Sequence, residues 1–144
     1  MKYVTREHIH VDRMATAWAI RRFVDPQASF EFVSRSVDIN EVEGITFDVR
    51  GAELGHSRGR CTFDAVLEKY ELYSEALQQM AAIIRGADLP LEEDAPPESS
   101  GVLAIFTGIR DSSQTDAERL ERGSSVCDAL YAYCVATRHT SRWV

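Results

Sequence analysis

Apolar and polar residues alternate along 2–10, a period of two that predicts a first strand. From Asp12 the period lengthens. Met14, Ala17, Trp18, Ile20 and Val24 recur at helical spacing with few polar interruptions. This predicts a helix over 12–24 that is buried on more than one side. Asp12 stands where a cap is expected, and Asp25-Pro26 closes the segment. Phe30, Phe32 and Val33 mark a second strand over 28–34, and 45–49 is the third. The expected connection from the first strand to the second is a right-handed crossover through helix 12–24, which makes the two strands parallel.

The second half is helical by the same test. Thr62 is placed to cap a helix with Phe63, Val66, Leu67 and Tyr70 inward. Ser74 caps another, with Leu77, Met80, Ala81 and Ile84 inward and Arg85-Gly86 as its stop. A proline-containing acidic stretch over 88–100 is the expected surface loop. Helices follow over 97–109, with Val102, Ile105, Phe106 and Ile109 on one face, and over 113–138, with Leu120, Cys127, Leu130, Tyr131 and Cys134 as the stripe. The fold class expected is therefore α/β: a small mixed sheet (β-α-β-β) carrying a C-terminal helical bundle, as a single domain over 1–144.

Composition narrows the function classes. With 44% hydrophobic and 27% charged residues the chain is an ordinary globular protein. Its formal net charge of −7 argues against a phosphate-backbone-binding face, so no nucleic-acid partner is expected for the chain by itself. No stretch reaches the ~20 apolar residues of a membrane span, and the N-terminus has no apolar signal core, so no membrane partner and a cytoplasmic location are expected. Cys61, Cys127 and Cys134 form no CxxC pair. The last two read as core residues of one helix face, and Cys61 stands at a helix start, where a thiol pKa can be lowered.

Two clusters carry candidate chemistry. In His8-Ile9-His10-Val11-Asp12-Arg13, strand alternation would put His8, His10 and Asp12 on one face, as the start of a metal site or proton relay. Arg13 lies on a buried helix near its N-terminus, where the dipole disfavours a cation. It therefore needs a fixed anionic partner, either a carboxylate (Asp48, Glu53 or Asp64) or a bound anion. The second cluster, 47–64, runs from a strand to a helix and holds glycines at 51, 55 and 59. Glu53, His56 and Asp64 are the donors that Mn, Fe or Zn would take. Arg50, Arg58 and Arg60 beside a helix N-terminus would instead suit an oxyanion. The site expected is one pocket in which Glu53, His56, Asp64 and Asp12 hold a divalent metal, with Arg13 and Arg58 beside it for an oxyanion.

The runs HVDRMATAWAIRRFVDP, FDVRGAELGHSRGRCTFDAVLEKY, IIRGAD and DALYAYC occur in that order and resemble the C-terminal domain of the bacterial chromate-resistance regulator family. The resemblance implies Asp12, Arg13, Glu53, His56 and Asp64 as recurring polar positions. It also implies a role in sensing chromate and controlling its efflux, in a longer protein whose N-terminal domain binds DNA. No counterpart of that DNA-binding half is expected within these 144 residues. The leading expectation is a sensor or accessory domain for an oxyanion or metal ion in metal-stress resistance. Two others stand beside it: a small Mn-, Fe- or Zn-dependent enzyme built on Glu53, His56 and Asp64, and an interaction module whose polar cluster is structural. A homo-oligomer or partner protein fits any of the three.

Overall fold

The computed structural model describes residues 1–57, 59–89 and 94–139. Strand β1 (Lys2–Arg6) lies at the centre of a three-stranded sheet, between β2 (Ser29–Val33) and β3 (Ile45–Thr46). Both pairings are parallel, with Tyr3 opposite Phe30 and Ile45. The small sheet expected is present, and all three of its strands run in one direction. Tyr3, Val4 and Thr5 are buried because the central strand is covered on both sides. β1 and β3 are both shorter than their periodicity suggested. β1 stops at Arg6, and His8 takes a left-handed φ of 62°.

Helix α1 (Val11–Ala19) crosses from β1 to β2 and continues as a π-helical turn over Ile20–Val24. Every residue of α1 except Arg13 is buried, as its near-continuous apolar pattern requires. Asp12 does not cap this helix. The cap position is His10, and Asp12 sits inside the first turn. Four further helices form the back half: α2 (Thr62–Lys69), α3 (Glu75–Asp88), α4 (Glu98–Ser112) and α5 (Asp116–His139). Ser74 caps α3 as expected, its hydroxyl accepting from the Leu77 amide at 3.2 Å. Arg85-Gly86 is not a stop, because α3 runs on to Asp88. Val102, Phe106 and Ile109 of α4 face the core, but Ile105 is exposed. Part of the loop expected over 88–100 lies outside the described residues.

Phe47, Phe63, Met14, Met80 and Phe106 fill the space between sheet and helices. Cys127 and Cys134 are core residues of α5. No described helix is long and apolar enough to cross a membrane.

Candidate functional site

The strands are parallel, so their C-terminal ends share one edge of the sheet, the edge where α/β folds place ligands. From there β1 connects to one neighbour and lies beside the other. The segments leaving β1 and β3 supply the site: Asp12 and Arg13 from α1, and Asp48 with His56 from the loop 47–61. Asp48 adopts φ 50°, a left-handed conformation that Asp tolerates better than most residues.

Asp12 is buried, and its carboxylate reaches across to the N-terminus of α2. Oδ2 accepts from the Thr62 amide at 2.8 Å and Oδ1 from the Phe63 amide at 2.9 Å. The Thr16 hydroxyl donates to Oδ1 at 3.3 Å. Asp64 caps the same helix, accepting from the Cys61 amide at 3.0 Å, so two acids satisfy orphan donors of α2. Cys61 rather than Thr62 is the cap residue. Its thiol donates to Asp64, and burial, with Asp12 and Asp64 nearby, pushes its pKa well above the usual range. The thiol is therefore held protonated, contrary to the lowering its place at a helix start suggested.

His56 sits among three carboxylates. Its Nδ1 is 2.9 Å from Asp48 Oδ1, and its Nε2 is 2.7 Å from Asp88 Oδ2 and 3.5 Å from Asp12 Oδ2. Both ring nitrogens face acceptors, so both donate and the ring is an imidazolium. Hydrogen bonding to Asp48, joined by that to Asp88, raises the His56 pKa to about 10 despite partial burial. Burial pushes Asp12 up to about 7, and the charges of Asp48 and Asp88 add to the rise. The Thr62 hydroxyl donates to Asp48 Oδ1 at 3.0 Å, so the start of α2 also orients this acid.

Arg13 has the anionic partner its position required. Its Nε is 3.4 Å from Asp48 Oδ2, and Nε and Nη2 donate to the Asp48 carbonyl at 3.3 and 3.0 Å. Arg13, Asp48, Arg50 and His56 line an open cavity of about 490 Å³.

Of the residues singled out in the sequence, Asp12, Arg13 and His56 come together here. Asp64 is committed to the α2 N-terminus and to Arg85, at 2.8 Å. Glu53 is exposed and does not line the cavity; its amide donates to Thr46 Oγ1 at 3.0 Å. Arg58 lies outside the described residues. His8, His10 and Asp12 do not act as one face: His8 pairs loosely with Glu7, and His10 Nε2 meets Thr107 Oγ1 at 3.0 Å. Asp88 is the acid that site reasoning missed, and Asp48, named as a partner for Arg13, was not among the expected metal ligands. Asp48 carried a signal, an acid at the end of the expected third strand, three residues before Gly51. Asp88 carried none, since only the packing of α3 brings it to His56.

Each of Asp12, Asp48 and His56 offers one ligand atom, and these atoms lie within 4.8 Å of one another. That spread is close to twice a metal–ligand bond of ~2.0–2.2 Å. Two carboxylates and one imidazole suit Mn, Fe or Zn better than Ca, which needs more oxygens. The Asp88 carboxylate at Nε2 can orient the ring in the way that carboxylates fix ligating histidines.

The chain is similar over 143 residues to Protein ChrB of Cupriavidus metallidurans, at 31% identity, covering 95% of this chain and 42% of that relative. It thus spans less than half of the relative's length. No solved structure matches it. The family model for the ChrB C-terminal domain matches residues 3–134, and the chain belongs to that family.

Proposed function

We propose that this domain is a ligand-binding sensor or accessory domain in chromate resistance, and that the ligand of its central cluster is a divalent Mn-, Fe- or Zn-class ion. The observation that carries the reading is the convergence of Asp12, from α1, with Asp48 and His56, from the loop after β3, onto one point. Membership in the ChrB family and the resemblance of its motifs to chromate-resistance regulators support the biological setting. Charge favours a cation over a bare oxyanion at this point. Asp12, Asp48 and Asp88 surround His56, with Arg13 the nearby guanidinium. A free dianion would meet these carboxylates at close range.

When bound, the ion would replace the proton that His56 now shares with the acids. Arg13 would continue to hold Asp48 in place. The open cavity beside the three ligands favours a second reading, a small metal-dependent enzyme, because three protein ligands with an accessible side are the arrangement of catalytic rather than structural sites. Turnover by the metal-loaded protein, absent from the metal-free form, would select it.

The test is metal analysis of protein purified without a histidine tag, followed by calorimetric titration with Mn²⁺, Zn²⁺ and, anaerobically, Fe²⁺. One equivalent is expected. His56→Ala should lower affinity at least tenfold with an unchanged circular dichroism spectrum. Absence of binding by all three ions would leave the interaction-module reading, with the cluster as a structural staple.

A further inference from the structure

Strand β2 is an edge of the sheet. It pairs with β1 on one side and has no strand on the other among the described residues. In a parallel ladder alternate residues turn their main-chain groups to the same neighbour. The Ser29 amide donates to the Met1 carbonyl and the Val33 carbonyl accepts from the Glu7 amide, so Ser29, Glu31 and Val33 face β1. The N–H and C=O groups of Phe30 and Phe32 therefore point to the open edge. Such an edge invites another strand unless proline, lysine or a bulge blocks it. β2 reads Ser-Phe-Glu-Phe-Val in unbroken register and has none of these. Its one charge, Glu31, is already paired with Lys2 at 2.6 Å.

Beside this edge a cavity of about 410 Å³ opens between β2 and α5, lined by Phe30, Phe32 and Leu120 with Arg21 and Glu121. Both phenylalanines are half-buried and lie on the α5 face of the sheet. The cavity carries one cation and one anion, and neither has a charged partner among the described residues. Arg21 is exposed. It donates to the Ala28 carbonyl at 3.4 Å, and its guanidinium lies over the Phe30 ring, 4.9 Å from the centroid. Glu121 is exposed and has no hydrogen bond or ion pair among the described residues. The two charges stand toward opposite ends of the strand. Arg21 belongs to the Phe30 end. Helix α5 begins beyond the C-terminal end of β1, where Asp116 accepts from the His8 and Ile9 amides, and reaches Trp18 only at Asp128. Glu121, early in that helix, therefore lies toward the Phe32 end.

We propose that β2 is the contact between two copies of this chain, joined antiparallel about a two-fold axis at Glu31 so that their sheets become one. Phe30 of one copy then stands opposite Phe32 of the other, and each such pair exchanges both of its main-chain hydrogen bonds. The opposed rings pack together on the α5 face, the kind of cross-strand aromatic pair that stabilises sheets. A two-fold contact must be self-complementary, and the charges here are. Antiparallel pairing brings Arg21 of each copy to Glu121 of the other, which favours a second copy over an unrelated strand. On the opposite face Glu31 meets Glu31 at the axis, each offset by its own Lys2. The contact stands independently of the metal reading.

The experiment is analytical ultracentrifugation of the full chain from about 1 μM to about 1 mM. The expected result is a reversible rise from monomer to dimer mass. Hydrogen exchange at the two extremes should show the Phe30 and Phe32 amides slowed at least tenfold in the dimer, with the Ser29 amide, already bonded to Met1, unchanged. Glu121→Arg should weaken association at least tenfold. Its melting temperature at low concentration should not change, since Glu121 has no partner within its own copy among the described residues. Arg21→Glu should weaken association likewise, and the double variant should recover most of the loss, because exchanging both charges restores the contact across the axis. Three outcomes overturn the proposal: a monomer at every concentration, which leaves the edge to a strand of another protein; a dimer in which the Phe30 and Phe32 amides exchange as in the monomer; or a Glu121→Arg protein that associates as before.

Discussion

Asp12 shows how one side chain can serve fold and site together. Its two oxygens take the amides of Thr62 and Phe63, and its Oδ2 also faces His56. Removing the carboxylate orphans two buried donors, each costing about 1–3 kcal/mol. Asp12→Ala should therefore lower stability in urea by roughly that amount or more, as well as weakening metal binding. Asp48→Ala orphans no backbone amide and should cost less stability for a comparable loss of metal. Equal stability losses in the two variants would contradict this division. Asp12, Arg13 and His56 were legible as chemistry because each is a polar residue in an apolar or glycine-rich setting. Their partners were less so. Arg13 pointed to a carboxylate, and Asp48 was among the three named. Asp64 had the right chemistry but sits on the far part of the α2 start, where Arg85 and the Cys61 amide engage it.

At the scale of elements, the periodicities located three strands and five helices, and errors fell where packing overrides local preference. Gly86 looked like a helix end because glycine is about 1 kcal/mol worse than alanine inside a helix. In the fold it is the contact point of α3 with α4. A Cβ there would fall on the Ser99 hydroxyl and within 2.8 Å of Ala95 Cβ. Ser99 cannot swing aside freely, because it is buried and donates to the Ile83 carbonyl at 2.8 Å. Gly86→Ala should therefore destabilise by about 1–3 kcal/mol through overpacking, against the gain its helix propensity predicts. Chemical denaturation gives the sign directly, and a stabilised Gly86→Ala protein would show that α4 yields. The π-helical turn after Ala19 had no signature in the sequence. It places Arg22 over the Trp18, Phe23 and Tyr131 rings, an arrangement set by α5 rather than by neighbours in the chain.

For the molecule as a whole, the cluster ties stability to pH and to metal in opposite senses. Hydrogen bonds to Asp48 and Asp88 hold His56 protonated up to about 10, above its ordinary 6.5. Burial, with Asp48 and Asp88 nearby, holds Asp12 protonated up to about 7, above its ordinary 3.8, and burial raises Asp88 as well. In each case the folded protein keeps a proton that the unfolded chain releases at lower pH, so stability falls as pH rises. The His56 contribution is fully present below 6.5 and is lost as pH climbs through about 10. The Asp12 window lies lower, from 3.8 to about 7. A metal ion needs the same groups deprotonated, so its affinity climbs over the range in which the metal-free protein weakens. The melting temperature of metal-free protein should therefore fall between about pH 5 and about pH 9, while the increment produced by saturating Mn²⁺ or Zn²⁺ grows. Binding should release protons, seen as a calorimetric heat that varies with the ionisation enthalpy of the buffer. His56→Ala should flatten the metal-free slope above pH 6.5 and remove most of the metal increment. A metal increment that stays constant across this range, with no proton release, would mean that the ion binds without displacing the His56 proton, and so away from Asp12, Asp48 and His56.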